Sequence, residues 1–208
     1  LPSPDDLWFG FLVKGPNRPQ LESAVLEKMQ AGHIGNFGRL AGLGKLLAAG
    51  PVSDPTEFRR GIVVLSIKQR DELAECFKPD PYIQNKRMNL QAFPVRVEAG
   101  AIQTNVPPGN GMEEDRIAYF MKGSGRPSKG ELNQHRDYLI SKGAEAGLAF
   151  FAAAKENSET VAVGLFCGKE DSKIYKFLAD DPLVARGYWT PVVVPQYIMR
   201  GMLKPLTK

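Results

Sequence analysis

FLVKGPNRP, residues 11–19, returns as YFMKGSGRP, residues 119–127. The separation of 119 − 11 = 108 residues is about half of the 208-residue chain, so the first question is whether everything between repeats as well. It does. KPDPYIQNKR (78–87) matches ADDPLVARGY (179–188), placing Asp80 over Asp181, and His33 falls over His135 between these anchors. AGAIQTNVPPGNGMEED, residues 99–115, is rich in Gly, Pro and polar residues and reads as a linker. The sequence therefore divides into repeats at 1–98 and 116–208.

Within each repeat the same elements are expected. The first opens with a strand at 7–14, followed by a helix at 20–42 on which Leu26, Met29, His33, Phe37 and Leu40 share a face. A short strand KLLAAG (45–50), a strand at 61–68, a helix at 69–77 and a strand at 89–98 complete it. The second repeat predicts strands at 116–122, 148–155, 160–167 and 189–198 with helices at 128–146 and 170–179. The order is β-α-β-β-α-β, so the fold class is α+β with two ferredoxin-like repeats. One-sided sheets alternate apolar and polar residues. LWFGFLV, IVVL, VAVGLF and PVVV do not, and at ~25 cal/mol per Å² a wet second face would forfeit several kcal/mol. The expectation is that the second faces cover one another, a dimeric-α+β-barrel-like pair within one chain, enclosing a space into which His33 projects.

A histidine on the first helix, then GKLLAAGPVSDP, then RGIVVLSI, then DPY after the second helix resembles the YCII-related (YciI-like) family of small dimeric α+β-barrel proteins. Residues 7–98 fit along their length and residues 116–198 more loosely, with His135, Gly164, DDPLVARG and the final strand retained. The resemblance implies a His–Asp pair in a pocket, here His33 and Asp80, with Tyr82 beside it. It also implies a Gly-Pro turn at Gly50-Pro51 followed by Asp54, and second-repeat counterparts His135 and Asp181. The turn is read as replaced by Ala153-Ala154, with no acid matching Asp54, so the first repeat is expected to keep the working site.

His33 lies in an apolar stripe, where a core histidine satisfied by one hydrogen bond is the plain structural reading. The recurrence of the chain's only two histidines at equivalent places in a diverged repeat points to a pocket instead. An imidazole held in one tautomer by an aspartate can move a proton between substrate atoms. Asp-Pro also commonly opens a turn, and Gly50-Pro51 also reads as a simple strand end. Arg59, Arg60 and Lys86 are candidates for an anionic substrate or ordinary surface charges. The expectation is a cofactor-free lyase or isomerase acting on a small oxygenated cyclic molecule, or else a non-catalytic small-molecule binding or sensing protein with the same pocket.

Other classes fit poorly. A net charge of +4 with no basic run gives no nucleic-acid or membrane patch. The strand at 61–68 carries Ile62 and Val64 where an RNA-recognition sheet needs aromatics. No apolar run spans a membrane. The lone Cys76 and Cys167 form neither a disulfide framework nor a zinc site. Related barrels bind haem and either histidine could ligate iron, but nothing else in the sequence suggests it, so no cofactor or metal is expected. The partner expected is a small-molecule ligand, with a homodimer of the fused repeat open. The start at Leu1 leaves an exported form with a removed signal peptide open beside the expected cytoplasmic one.

Overall fold

The computed structural model describes residues 6–107 and 109–207. The chain forms two units, Leu1–Pro94 and Val95–Lys208. Unit 1 runs β1 (Leu7–Lys14), α1 (Ser23–Gly42), β2 (Leu46–Pro51), β3 (Arg59–Ser66), α2 (Asp71–Phe77), the one-turn α3 (Pro81–Gln84) and the start of β4 (Met88–Gly100). Its antiparallel strands pair in the order β2-β3-β1-β4, the ferredoxin-like arrangement.

Unit 2 holds β5 (Met112–Lys122), α4 (Lys129–Lys142), a 3-10 turn (Gly143–Ala146), β6 (Leu148–Ala154), β7 (Thr160–Phe166), α5 (Asp171–Ala179), the one-turn α6 (Pro182–Ala185) and β8 (Trp189–Met199). Val95–Gly100 of β4 pairs with β6, and the order continues β6-β7-β5-β8. The irregular segment is shorter than the 99–115 read from composition, because β4 runs through Gly100 and β5 begins at Met112. The two one-turn helices were expected only as Asp-Pro turns.

The inner strands of each unit, β1 and β3 in one and β5 and β7 in the other, are largely buried on both faces. In unit 1, Trp8, Leu12, Val63 and Leu65 pack with Leu40, Cys76 and Phe77 beneath the helices, while Phe9, Phe11, Ile62 and Val64 on the opposite face are equally buried. In unit 2, Ala118, Phe120, Ala162 and Phe166 join the helix-side core, and Ile117, Tyr119, Val163 and Leu165 are buried opposite. Continuous apolar strands are what two buried faces require.

The registers align the units residue by residue. Phe11 faces Ile62 and Ile62 faces Gly50, while Tyr119 faces Val163 and Val163 faces Ala152. Ala152-Ala153 therefore stands at the place of Gly50-Pro51, one residue earlier than the Ala153-Ala154 expected. Gly50 and Pro51 are themselves strand residues paired with Ile62 and Gly61, not a turn. β2 ends unit 1's strand order, where a proline without an amide is tolerated.

The same registers show an exchange of small residues. Gly10 faces Val63 in unit 1, whereas Ala118 faces Gly164 in unit 2. A Cβ on Gly10 would lie 3.1 Å from Val63 Cγ2 and 2.9 Å from Leu90 Cδ1; one on Gly164 would lie 3.0 Å from Phe166 Cε2 and 3.1 Å from Phe151 Cδ2. Gly164 thus makes room for the rings of Phe151 on β6 and Phe166 on β7 and does not match the glycine leading β3. At the ends of β1 and β5, Gly15 and Gly123 allow close backbone approach, since a Cβ would meet the carbonyls of Lys86 and Gly187 at 2.2 Å.

Candidate functional site

The buried stripe of α1 carries Met29, His33, Asn36 and Leu40. Gly32, beside His33, leaves space that Pro81 fills: a Cβ there would lie 2.9 Å from the proline Cγ. That close approach seats the start of α3 against α1 and brings Asp80 to His33. His33 Nδ1 lies 2.6 Å from Asp80 Oδ2. The other oxygen, Oδ1, accepts the amides of Tyr82 at 2.9 Å and Ile83 at 3.4 Å, so the same side chain caps α3.

A carboxylate can only accept, so Nδ1 carries the ring hydrogen and Nε2 is left as the basic nitrogen. Phe37 lies 4.3 Å from the imidazole centroid and Tyr82 meets it edge-on at 5.2 Å. The Tyr82 hydroxyl donates to Gln30 Oε1 at 3.0 Å, holding the phenol ring beside the histidine.

Unit 2 repeats the pair with different surroundings. His135 Nδ1 lies 2.7 Å from Asp181 Oδ2, and Asp181 Oδ1 caps α6 by accepting the Leu183 amide at 2.8 Å. Leu183 replaces Tyr82. Trp189 and Phe151 enclose the ring at 4.9 and 5.1 Å. His135 Nε2 is buried with no hydrogen-bond partner, and the side chain is 2% exposed against 9% for His33.

Both imidazoles lie in the helix–sheet layer of their own units. Their ring neighbours come from α1 and α3 in one case and from the helix-side core in the other. A histidine projecting into a space enclosed by the second sheet faces, as the sequence suggested, is not what the structure shows, because the stripe carrying His33 also carries Leu40 of the helix-side core.

Asp54, Gly50 and Pro51 stand apart from the pair: among the described residues no hydrogen bond or ion pair links them to His33 or Asp80. The Asp54 carboxylate is consumed by its own loop. Oδ1 accepts the Thr56 amide at 2.9 Å and its hydroxyl at 2.8 Å, Oδ2 accepts the Arg59 amide at 2.9 Å, and Arg59 Nη1 lies 3.9 Å away. Burial alone would push this acid up, but the amide and hydroxyl donors and the nearby guanidinium outweigh it and hold the carboxyl below its ordinary value. That is a loop clamp.

Sequence reasoning missed a second shared device. Asn36 Nδ2 donates to the Cys76 carbonyl at 3.1 Å, joined by Arg39 Nη2 at 2.8 Å. In unit 2 the Tyr138 hydroxyl donates to the Phe177 carbonyl at 2.8 Å. Both bonds tie the unit's long helix to the last turn of its α2 or α5 helix, where carbonyls lack helical partners. Unlike side chains performing one task leave no signal in a sequence comparison.

No family model and no curated protein matches the sequence. Solved structures do. A candidate monooxygenase of Fusobacterium nucleatum subsp. nucleatum is similar over 97% of this chain and 95% of its own at 8% identity and a TM-score of 0.60. A heme-binding protein of Thermus thermophilus is similar over 92% of this chain and 90% of its own at 13% identity and a TM-score of 0.55. A candidate chlorite dismutase is similar over 93% of this chain and 94% of its own at 9% identity and a TM-score of 0.59. At these identities the likeness shows the fold, the dimeric α+β barrel with two ferredoxin-like repeats.

One of these neighbours is a heme-binding protein, and the histidine of unit 2 does not fit that group. An axial imidazole needs an open Nε2 facing room for a macrocycle, whereas His135 Nε2 is sealed beneath Trp189 and Phe151. Among the described residues no three His, Cys, Asp or Glu side chains converge as a metal site would need, and no helix is long and apolar enough to cross a membrane.

Proposed function

We propose that unit 1 is a YCII-like module whose His33–Asp80 pair carries out general acid–base chemistry on a small oxygenated cyclic molecule, in a lyase- or isomerase-type reaction. The observation that carries this reading is the 2.6 Å contact from Asp80 to a histidine that keeps some exposure, beside a sealed copy in unit 2. Nε2 takes a proton from a C–H or O–H of the substrate. Asp80 accepts from Nδ1 throughout and stabilises the imidazolium. The imidazolium then returns the proton to another substrate atom, completing an isomerisation, or to a departing group, completing an elimination. A positioned acid–base of this kind contributes roughly 10²–10⁴ in rate. In this reading Tyr82, whose ring meets His33 edge-on, also packs against the ring of the bound molecule.

The competing reading is a binding or sensing module, favoured by the double duty of each aspartate as histidine partner and helix cap. Screening lactones and hydroxylated aromatics separates the two. His33→Gln should lose at least ~100-fold in turnover while binding is retained, and His135→Gln should leave turnover unchanged. Full turnover in His33→Gln overturns the acid–base assignment. Binding without turnover in the wild-type protein selects the sensing module.

A further inference from the structure

Two arginines are buried among the described residues, Arg87 and Arg116, and Arg59 is half-buried. Two have carboxylate company. Arg116 donates to Glu114 at 2.9 Å and to Asp171 at 2.5 Å, and Arg59 lies 3.9 Å from Asp54. Arg87, 8% exposed, has none: its Nη1 donates to the Pro19 carbonyl at 2.8 Å and its buried Nε has no partner. A buried guanidinium without an anion is an arrangement folded proteins avoid, because neither charge pairing nor a full set of hydrogen bonds offsets its desolvation.

Unit 2 shows what normally stands in this place. Lys14 pairs with Met88 and Lys122 with Trp189, so Arg87 and Tyr188 are equivalent. Their backbones behave alike: Arg87 N donates to Tyr82 O at 2.9 Å and Tyr188 N to Leu183 O at 3.0 Å. The carbonyls accept the Gly15 and Gly123 amides at 2.9 and 2.8 Å. The Tyr188 hydroxyl donates to the Glu131 carboxylate at 3.0 Å, one helical turn ahead of His135. In α1 the residue one turn ahead of His33 is Met29. Unit 2 thus brings its own carboxylate to this spot, while unit 1 brings a cation and no acid.

We propose that Arg87 is the anion-binding residue of the His33–Asp80 site and that the ligand presents a carboxylate to it. This rests on the acid–base reading of that site and narrows its substrate class. The Nε–Nη2 edge of the guanidinium has no protein partner, and a planar carboxylate matches that edge with two parallel hydrogen bonds. Tyr82 links the two groups, accepting the Arg87 amide through its carbonyl while its ring lies 5.2 Å from His33.

The test is binding of benzoate, phenol and inorganic phosphate, followed by calorimetry and amide chemical shifts, to the wild-type protein and to Arg87→Met, Arg87→Lys and His33→Gln. Benzoate should bind the wild-type protein at least ~10-fold more tightly than phenol. Arg87→Met should lose that preference with phenol binding unchanged, and Arg87→Lys should keep only part of it. If Arg87→Met does not fold, Arg87→Lys decides, and undiminished benzoate binding there overturns the planar-fork assignment. His33→Gln should bind benzoate within about twofold of wild type, so failure of the acid–base chemistry and failure of the anion site are told apart. Benzoate binding no tighter than phenol, or equal binding to folded Arg87→Met, overturns the proposal. Phosphate displacing benzoate at equal or higher affinity overturns the carboxylate assignment.

Discussion

Asp80 divides its two oxygens between a helix cap and an imidazole, and two substitutions separate these roles. Asp80→Ala removes both. The cap is worth ~1 kcal/mol, and a hydrogen bond to a charged group ~1.5–3 kcal/mol. Asp80 is fully buried, so water does not take over either bond. The sum is a loss of about 2.5–4 kcal/mol, read from chemical denaturation at constant m-value. Asp80→Asn behaves differently. Its carbonyl can still accept the Tyr82 and Ile83 amides as Oδ1 does now. Its amide then faces His33 Nδ1 as a donor and forces the ring hydrogen onto Nε2. Stability should fall by no more than ~1–2 kcal/mol, the charge assistance alone, while the basic nitrogen is lost. ¹⁵N spectra of the imidazole report the tautomer directly. An Asp80→Asn protein that keeps its hydrogen on Nδ1, or an Asp80→Ala protein destabilised by less than ~1 kcal/mol, refutes this division of labour.

Two further outcomes follow from the packing. Burial, with Asp180, Asp181 and Glu145 nearby, pushes the Tyr138 hydroxyl up from 10.0 to about 12. The folded value lies above the unfolded one, so the stability held by the protonated phenol is complete below pH 10 and is lost as pH rises toward 12. Tyr138→Phe should cost ~1 kcal/mol at neutral pH through the freed Phe177 carbonyl, and its deficit against wild type should narrow across that alkaline window in pH-dependent unfolding. In the sheet, Gly10→Ala should cost ~1–3 kcal/mol by overpacking. Adding Val63→Gly recreates the unit 2 arrangement, so unfolding of the double variant should fall short of the summed losses by ~0.5–3 kcal/mol.

Much of this architecture was legible because the chain states it twice. The order of elements and the spacing from His33 to Asp80 were marked by a histidine and an Asp-Pro in each repeat, residues uncommon enough to align by eye. Alanine-rich strands lack such landmarks, and LLAAG and LAFFAAA slide past one another until hydrogen-bond register fixes Gly50 against Ala152. The layer holding the imidazole was misjudged for another reason. Strands buried on both faces do not say which face a helical residue approaches. Arg87 escaped notice because its significance is a missing partner. The neighbouring Lys86, a sequence candidate for the anion, occupies a left-handed backbone position at φ 55, and the buried cation is the next residue.

The reciprocal small residues, Gly10 opposite Val63 and Ala118 opposite Gly164, mean that the strands of the two units are not interchangeable one at a time. A chimera that grafts β5 into the place of β1 would set Ala118 against Val63 and crowd the layer. The reverse graft would face two glycines and leave it hollow. Strands of this protein can be exchanged only as matched couples.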